Sequence, residues 1–157
     1  EAIQVIKAMW TDSHASFADE YDVPLETRVR LDGQQIWVDR DRLFQIITNF
    51  VSNAIKYSPR GESVTLAAQP VHDGADVRLS VTDRGEGIPE GFRDSLFDRF
   101  TQADASTTRQ QQGTGLGLSI AEALTEQMGG EIDFLTEIGE GTTFFVDFPV
   151  HDDQERT

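Results

Sequence analysis

The chain has 157 residues, a length typical of one domain, and its apolar residues (38%) with 13 glycines suffice for a globular core. Acidic residues outnumber basic ones 28 to 13, and the net charge of -15 argues against nucleic-acid binding, which requires cations against phosphate. Cysteine is absent, which excludes disulfide scaffolds, thiolate zinc sites and cysteine nucleophiles. No apolar run approaches the ~20 residues of a membrane span. We therefore expect a cytoplasmic domain without direct membrane contact, even if its parent protein is membrane-anchored.

Hydrophobic periodicity predicts alternating helices and strands. The segments with helical spacing are residues 1–20, 40–57, 90–99 and 116–128. The segments with strand-like alternation are residues 25–31, 36–38, 64–69, 77–82, 132–136 and 142–148. Turn residues predict hairpins at Asp32-Gly33, at His72-Asp73-Gly74 and around Gly139-Glu140-Gly141.

This order of elements predicts an α+β fold. We expect a two-layer α/β sandwich in which about three helices cover one face of a mixed, mostly antiparallel sheet. The domain is predicted to span residues 1–150, and residues 151–157 are predicted to form a polar tail.

The helix after Asp39, its predicted N-cap, has two distinct faces. Its apolar arc is predicted to be buried and contains Leu43, Ile46, Ile47, Phe50, Val51 and Ala54. On another side, Asn49, Asn53 and Lys56 share a stripe about 60° wide. Amide oxygens suit Mg²⁺ and a lysine suits phosphate, but the same stripe is also typical of an ordinary solvated helix face.

Glycines cluster at two further places with possible ligand chemistry. Asp83-Arg84-Gly85-Glu86-Gly87-Ile88 directly follows a predicted strand. A carboxylate there can accept from an exocyclic amine, and Ile88 can serve as an apolar wall for a flat base. The second cluster lies in residues 113–118 and leads into a helix, whose first N–H groups and dipole suit phosphate. A glycine-rich helix start is equally typical of an ordinary flexible loop.

The helix after residue 115 is predicted to bury a stripe that recurs every four residues, formed by Leu116, Ile120, Leu124 and Met128. Three known nucleotide motifs do not fit the chain. There is no Gly-Lys-Ser/Thr of a P-loop, Glu90 stands at the third glycine of a dinucleotide fingerprint, and the eukaryotic kinase signatures are missing.

In combination, the motifs resemble the boxes of the sensor histidine kinase ATP-binding domain, a fold shared with gyrase, chaperone and mismatch-repair ATPases. The matching segments are Asn49-x-x-x-Asn53-Ala54-x-Lys56-Tyr57, Asp83-x-Gly85-x-Gly87-Ile88, Phe97-x-x-Phe100, Gly113-Thr114-Gly115-Leu116-Gly117-Leu118 and Gly139-x-Gly141-Thr142. Residues 100–109 are similar to the lid of hybrid histidine kinases, which carry a receiver domain downstream.

The resemblance implies a site for ATP and Mg²⁺. Asn53 would be the direct metal ligand, with Asn49 beside it in the same polar layer. Lys56 would contact the phosphates, Tyr57 would lie near the ribose or phosphate edge, and Arg109 would reach the γ-phosphate.

The resemblance also implies how the base and the triphosphate are held. Asp83 would bind the adenine amine, Gly87 would permit close approach, and Thr142 would support the base through water. Gly85 and Ile88 belong to the same implied cofactor-binding set. The segment that would close over the triphosphate consists of Gly113, Thr114, Gly115, Leu116, Gly117 and Leu118.

The implied activity is that of a protein-histidine kinase. Gyrase-like relatives have a glutamate base at the position of Asn49, and an amide cannot deprotonate water. A neutral imidazole needs no base, so histidine phosphorylation can proceed by positioning and charge stabilisation. None of His14, His72 or His151 fits the acceptor pattern of the family, so the acceptor histidine would lie on a separate dimerisation domain. The alternatives are a non-catalytic nucleotide-sensing or docking module and a serine kinase of the anti-sigma-factor type.

Overall fold

The computed structural model describes residues 25–31, 33–59, 61–97 and 117–151. The strands are β1 (Leu25–Val29), β2 (Val64–Val71), β3 (Asp76–Thr82), β4 (Glu131–Glu137) and β5 (Gly141–Pro149). The helices are α1 (Arg40–Tyr57), α2 (Glu90–Arg93) and α3 (Gly117–Gln127). The strands form one sheet in the order β1-β2-β3-β5-β4, in which β1 is parallel to β2 and the other neighbours are antiparallel. The predicted α+β class and mostly antiparallel sheet are confirmed.

Helix α1 forms as its sequence predicts. Asp39 caps it, because its Oδ1 accepts from Arg42 N at 3.0 Å and satisfies one of the unpaired N–H groups of the first turn. The whole predicted apolar arc is buried, together with Ile55. The helix ends at Ser58, which is extended (ψ 137°) as expected for a residue before proline.

Two of the predicted hairpins are confirmed. Residues 72–74 join β2 to β3 with three successive positive φ angles, 53° at His72, 56° at Asp73 and 85° at Gly74. Residues 138–140 join β4 to β5. The register of both pairs places alternate apolar side chains against the helices, where they form the core with α1.

The predicted hairpin between residues 25–31 and 36–38 is wrong. Strand β1 pairs in parallel with β2, with Leu25 opposite Val64, while Ile36 forms an isolated antiparallel bridge with Val150. Alternating hydrophobicity shows that a segment is a strand but not which distant strand it pairs with.

Helix α3 is described from Gly117, and the predicted start at Leu116 lies outside the described residues; the helix is followed by Gly129 at a φ of 78°. The predicted burial of Ile120 is wrong, because 37% of this residue is exposed. The fully buried positions are Ala121 and Thr125, whose Oγ1 donates to Ala121 O at 2.7 Å. A repeat of four residues drifts by about 40° per step on a helix, so it leaves the buried face within a few turns.

The predicted helix at residues 90–99 is shorter within the described part of the chain, where α2 is followed by turns up to Phe97. The helix predicted at residues 1–20 lies outside the described residues. His151 lies one residue beyond the predicted domain end, and its N donates to Gln35 O at 2.6 Å. No described helix is both long enough and apolar enough to cross a membrane.

The sheet face opposite the helices carries its own polar cluster. Arg78 on β3 donates through Nε and Nη2 to the two carboxylate oxygens of Asp147 on β5, at 2.8 and 2.9 Å. The Arg78 guanidinium also lies 3.8 Å from the ring centroid of Phe145. This hydrogen bonding raises the pKa of Arg78 above its ordinary value. The cluster therefore covers apolar sheet surface with a paired charge.

Candidate functional site

Asp83 follows β3 and is 6% exposed. Its Oδ1 accepts from Gly85 N at 2.9 Å and from Thr142 N at 3.2 Å, and its own N donates to Thr142 O at 2.9 Å. Burial raises the pKa of the Asp83 carboxyl above its ordinary value, although the two hydrogen bonds lower it. Within the described part of the chain, the hydrogen bonds to this carboxylate end on Oδ1. Oδ2 can therefore accept a hydrogen bond from a ligand.

The loop that carries Asp83 is bonded to the β4–β5 hairpin. Gly139 N donates to Glu86 O at 2.8 Å. Ile88 N donates to Thr136 Oγ1 at 2.9 Å, and that hydroxyl lies 2.9 Å from Thr142 Oγ1. The side chain of Ile88 is half-buried against the core. The strand end, the loop and the hairpin thus form one rigid wall.

Gly85 brings this wall to the C-terminal end of α1. A Cβ at this position would lie 3.1 Å from Asp83 Oδ1, a tight contact, and 2.6 Å from Tyr57 O, a distance that real Cβ atoms essentially never show. Only glycine permits this contact. The predicted amide stripe and the predicted base-binding carboxylate therefore belong to the same region of the molecule.

The amide stripe faces the start of α3. Asn49 Nδ2 donates to Gly117 O at 3.0 Å, a contact between residues 68 positions apart. Asn53 and Lys56, on the same stripe, are half-buried. Tyr57 is 48% exposed, and its partial burial raises the pKa of the phenol. Gly117, which belongs to the segment predicted to hold phosphate, thus lies beside the stripe predicted to hold the metal.

The structure therefore brings together most of the site residues predicted from the sequence. Those that it gathers are Asn49, Asn53, Lys56, Tyr57, Asp83, Gly85, Gly87, Ile88, Gly117, Leu118 and Thr142. The others lie outside the described residues, namely Arg109, Gly113, Thr114, Gly115 and Leu116. The roles of all these residues toward a nucleotide stay predictions.

Thr136 is a residue of the site that the sequence does not identify. The sequence predicts only a strand there, yet Thr136 connects Ile88 with Thr142. For Gly141 the sequence predicts a hairpin and a place in the last glycine box, but no contact with Asp83. A Cβ at Gly141 would collide with the carbonyl of Asp83.

Residues 38–152 match the family of histidine kinase-, DNA gyrase B- and HSP90-like ATPases. The chain belongs to this family. Sensor protein SrrB of Staphylococcus aureus is 38% identical over 117 residues, which are 74% of this chain and 20% of SrrB. The chain thus spans a fifth of the length of this curated relative.

Solved structures assign the chain to the histidine kinase branch of the family. The full-length ShkA structure in complex with AMPPNP matches 96% of this chain and 30% of its own, with 31% identity and a TM-score of 0.80. The mycobacterial sensor histidine kinase MprB matches 96% of this chain and 95% of its own, with 25% identity and a TM-score of 0.76. The chain is a histidine kinase catalytic domain of the ATP-binding type.

Neither described histidine of this catalytic domain lies at the Asp83 end of the sheet. His72 precedes β3, whereas Asp83 follows it, so the strand of about 20 Å separates them. His151 follows β5, and Pro149 of that strand pairs with Asp76 at the start of β3. The Nδ1 of His72 also contacts Asp76 Oδ2 at 2.6 Å. Both side chains are therefore remote from the site.

Proposed function

We propose that this domain binds ATP with Mg²⁺ and transfers the γ-phosphoryl group to a histidine on a separate dimerisation domain. The observation that carries the proposal is the buried Asp83 carboxylate, whose Oδ1 is held by two backbone N–H groups while Oδ2 can accept from a ligand. A buried carboxylate held in this way selects a partner that donates a hydrogen bond.

Adenine supplies that donor. Its exocyclic amine can donate to Asp83 Oδ2, whereas guanine has a carbonyl oxygen at the same position and would be repelled. The half-buried Ile88 offers an apolar wall, and the hydroxyl of Thr142 lies on the hairpin beside the carboxylate. These groups match the mixture of apolar surface and few fixed polar atoms that is typical of small-molecule sites.

The phosphates of the same nucleotide would reach the amide stripe. Gly85 lies against the carbonyl of Tyr57, in the last turn of α1. Asn53 precedes Tyr57 by one turn, a rise of about 6 Å along the helix axis. A nucleoside triphosphate bound at Asp83 is long enough to span that separation.

The residues present fit a magnesium ion held between protein and phosphate. The half-buried amide of Asn53 has the neutral oxygen that Mg²⁺ accepts, so Asn53 would hold the metal together with oxygen atoms of the nucleotide. When bound, the metal neutralises charge on the β- and γ-phosphates. Lys56 on the same stripe adds a positive point charge. This charge attracts the phosphates, which the net charge of -15 of the chain would otherwise repel.

The transfer step requires little chemistry from this chain. A neutral imidazole nitrogen of the acceptor attacks the γ-phosphorus, the bond to the β–γ bridging oxygen breaks, ADP leaves, and the phosphoimidazolium loses its proton to solvent. Asn49 is not a base, and its Nδ2 is engaged with Gly117 O. Positioning and charge stabilisation therefore account for the reaction, and Asn49 does not activate water for hydrolysis.

The partners follow from this reaction. The acceptor is the histidine-bearing dimerisation domain of the parent kinase, and the phosphoryl group then passes to a response-regulator receiver domain, downstream in a hybrid parent. Because ATP is an intracellular nucleotide, the reaction is expected in the cytoplasm. Arg109 and residues 113–116 would close over the triphosphate.

The test is to mix the domain with the cognate dimerisation domain and ATP labelled at the γ-phosphate. We expect label on the dimerisation domain that is lost in acid and stable in base, with little free phosphate from the catalytic domain alone. Asp83→Asn is the negative control. Acid-stable label would indicate a serine kinase, and ATP binding without any transfer would indicate a nucleotide-sensing module. Either result contradicts the proposal.

A further inference from the structure

The hydroxyl of Thr136 on β4 contacts three groups of the site. Its Oγ1 accepts from Ile88 N at 2.9 Å. It lies 2.9 Å from Thr142 Oγ1 and 3.3 Å from Gly141 O. Thr136 is therefore the one side chain among these contacts that joins the loop after β3 to both strands of the hairpin.

The Thr136 hydroxyl has a single proton, so it can donate only one hydrogen bond and must accept in the others. Ile88 N uses one lone pair of Thr136 Oγ1. Gly141 O can only accept, and at 3.3 Å it is the longer contact, whereas Thr142 Oγ1 lies at 2.9 Å. The Thr136 hydroxyl can donate to Gly141 O, and either threonine hydroxyl can be the donor in the contact between them. In each arrangement the hydroxyl of Thr142 is hydrogen-bonded to Thr136 Oγ1.

We propose that Thr136 is a positioning residue of the nucleotide site. It fixes the backbone of Ile88 against the hairpin, and its hydrogen bond with Thr142 Oγ1 holds that hydroxyl in one orientation beside the bound base. This role rests on the proposed ATP binding at Asp83. It concerns the base end of the nucleotide and not the phosphates.

Thr136→Val removes the hydroxyl at nearly constant shape. Ile88 N then loses its acceptor, and Thr142 loses the hydroxyl that orients it. We expect the affinity for ATP and for ADP to fall by the same factor, about five- to tenfold, with and without Mg²⁺. Thr136→Ser keeps the hydroxyl and is expected to bind within about twofold of the wild type.

A second threonine pair provides a matched control. Thr82 Oγ1 and Thr143 Oγ1 lie 2.8 Å apart on neighbouring strands, on the other face of the sheet. Thr143→Val removes a comparable hydrogen bond without touching the loop that carries Ile88. We expect Thr143→Val to lower the melting temperature about as much as Thr136→Val and to leave nucleotide affinity within twofold.

The experiment measures ADP and ATP dissociation constants by calorimetry for the 157-residue chain, beside melting temperatures. The proposal is contradicted if Thr136→Val binds like the wild type, if Thr143→Val loses affinity equally, or if the loss disappears without Mg²⁺. If Thr136→Val does not fold, Thr136→Ala and Thr136→Ser provide the same comparison. Wild-type protein that binds no nucleotide would instead overturn the proposed function.

Discussion

Asp83 is the residue on which the proposed nucleotide site depends, and its burial is unfavourable to folding. A carboxylate in an environment of low polarity loses hydration, and two backbone hydrogen bonds offset this only in part, so its pKa is raised. A group whose pKa is raised in the folded state stabilises folding below its unfolded pKa. This contribution is lost as the pH increases through the folded pKa.

We therefore expect Asp83→Asn to be at least as stable as the wild type at pH 7. The asparagine oxygen can still accept from Gly85 N and Thr142 N, and no buried charge is present. The free energy of unfolding of the variant minus that of the wild type should increase as the pH is raised from 4 to 7. The reason is that only the wild type has a titrating group at position 83. Urea unfolding at several pH values measures this difference. A difference that decreases with pH would contradict the assigned burial.

Some residues of the candidate site can be predicted from the sequence, and others cannot. Asp83 could be identified because a carboxylate followed by glycines at a strand end is an unusual local pattern. Thr136 could not, because threonine is a common strand residue and its hydrogen bond with Ile88 joins positions 48 apart. Contacts between distant segments depend on tertiary structure, which local pattern does not contain.

At the scale of elements, the site depends on the contact between the loop after β3 and the end of α1. Gly85→Ala places a methyl group 2.6 Å from Tyr57 O. We expect it to lower the free energy of unfolding by about 2 kcal/mol and to weaken nucleotide binding. Gly91→Ala is the control, because a Cβ there meets nothing within 4 Å and alanine favours helix α2. Equal effects of the two substitutions in urea unfolding would contradict this contact.

Elements with strong local signals were predicted well. Helix α1 has a cap at Asp39, a broad apolar arc and a proline after its end, and all three act over a few residues. The partner of β1 and the exposure of Ile120 were predicted wrongly. Both depend on where the sheet and the helices meet, which alternation and four-residue spacing leave open.

At the scale of the molecule, the sheet must be stable on both faces, and the Arg78–Asp147 pair stabilises the face opposite the described helices. The side chain of Asp147 is 7% exposed, so removing its partner leaves a buried charge. We expect Arg78→Met to lower the free energy of unfolding by about 3 kcal/mol. Arg28→Met removes the same charge from a side chain that is 62% exposed beside Glu26, and about 0.5 kcal/mol or less is expected.

Both variants change the net charge of -15 equally, so general electrostatic repulsion cancels in the comparison. Thermal or urea unfolding at one ionic strength provides the measurement. If Arg28→Met is as destabilising as Arg78→Met, net charge and not the buried pair determines the effect. The stability of the sheet would then have to be explained without this pair.

The most direct test is calorimetric titration of ADP with and without Mg²⁺ into the wild type, Asp83→Asn and Asn53→Ala. If one nucleotide contacts both Asp83 and Asn53, each of the three proteins should give a distinct result. The wild type binds more tightly with Mg²⁺, Asn53→Ala keeps its metal-free affinity but loses the gain from Mg²⁺, and Asp83→Asn loses binding in both conditions. Unchanged binding by Asp83→Asn, or a full gain from Mg²⁺ in Asn53→Ala, would contradict a shared site.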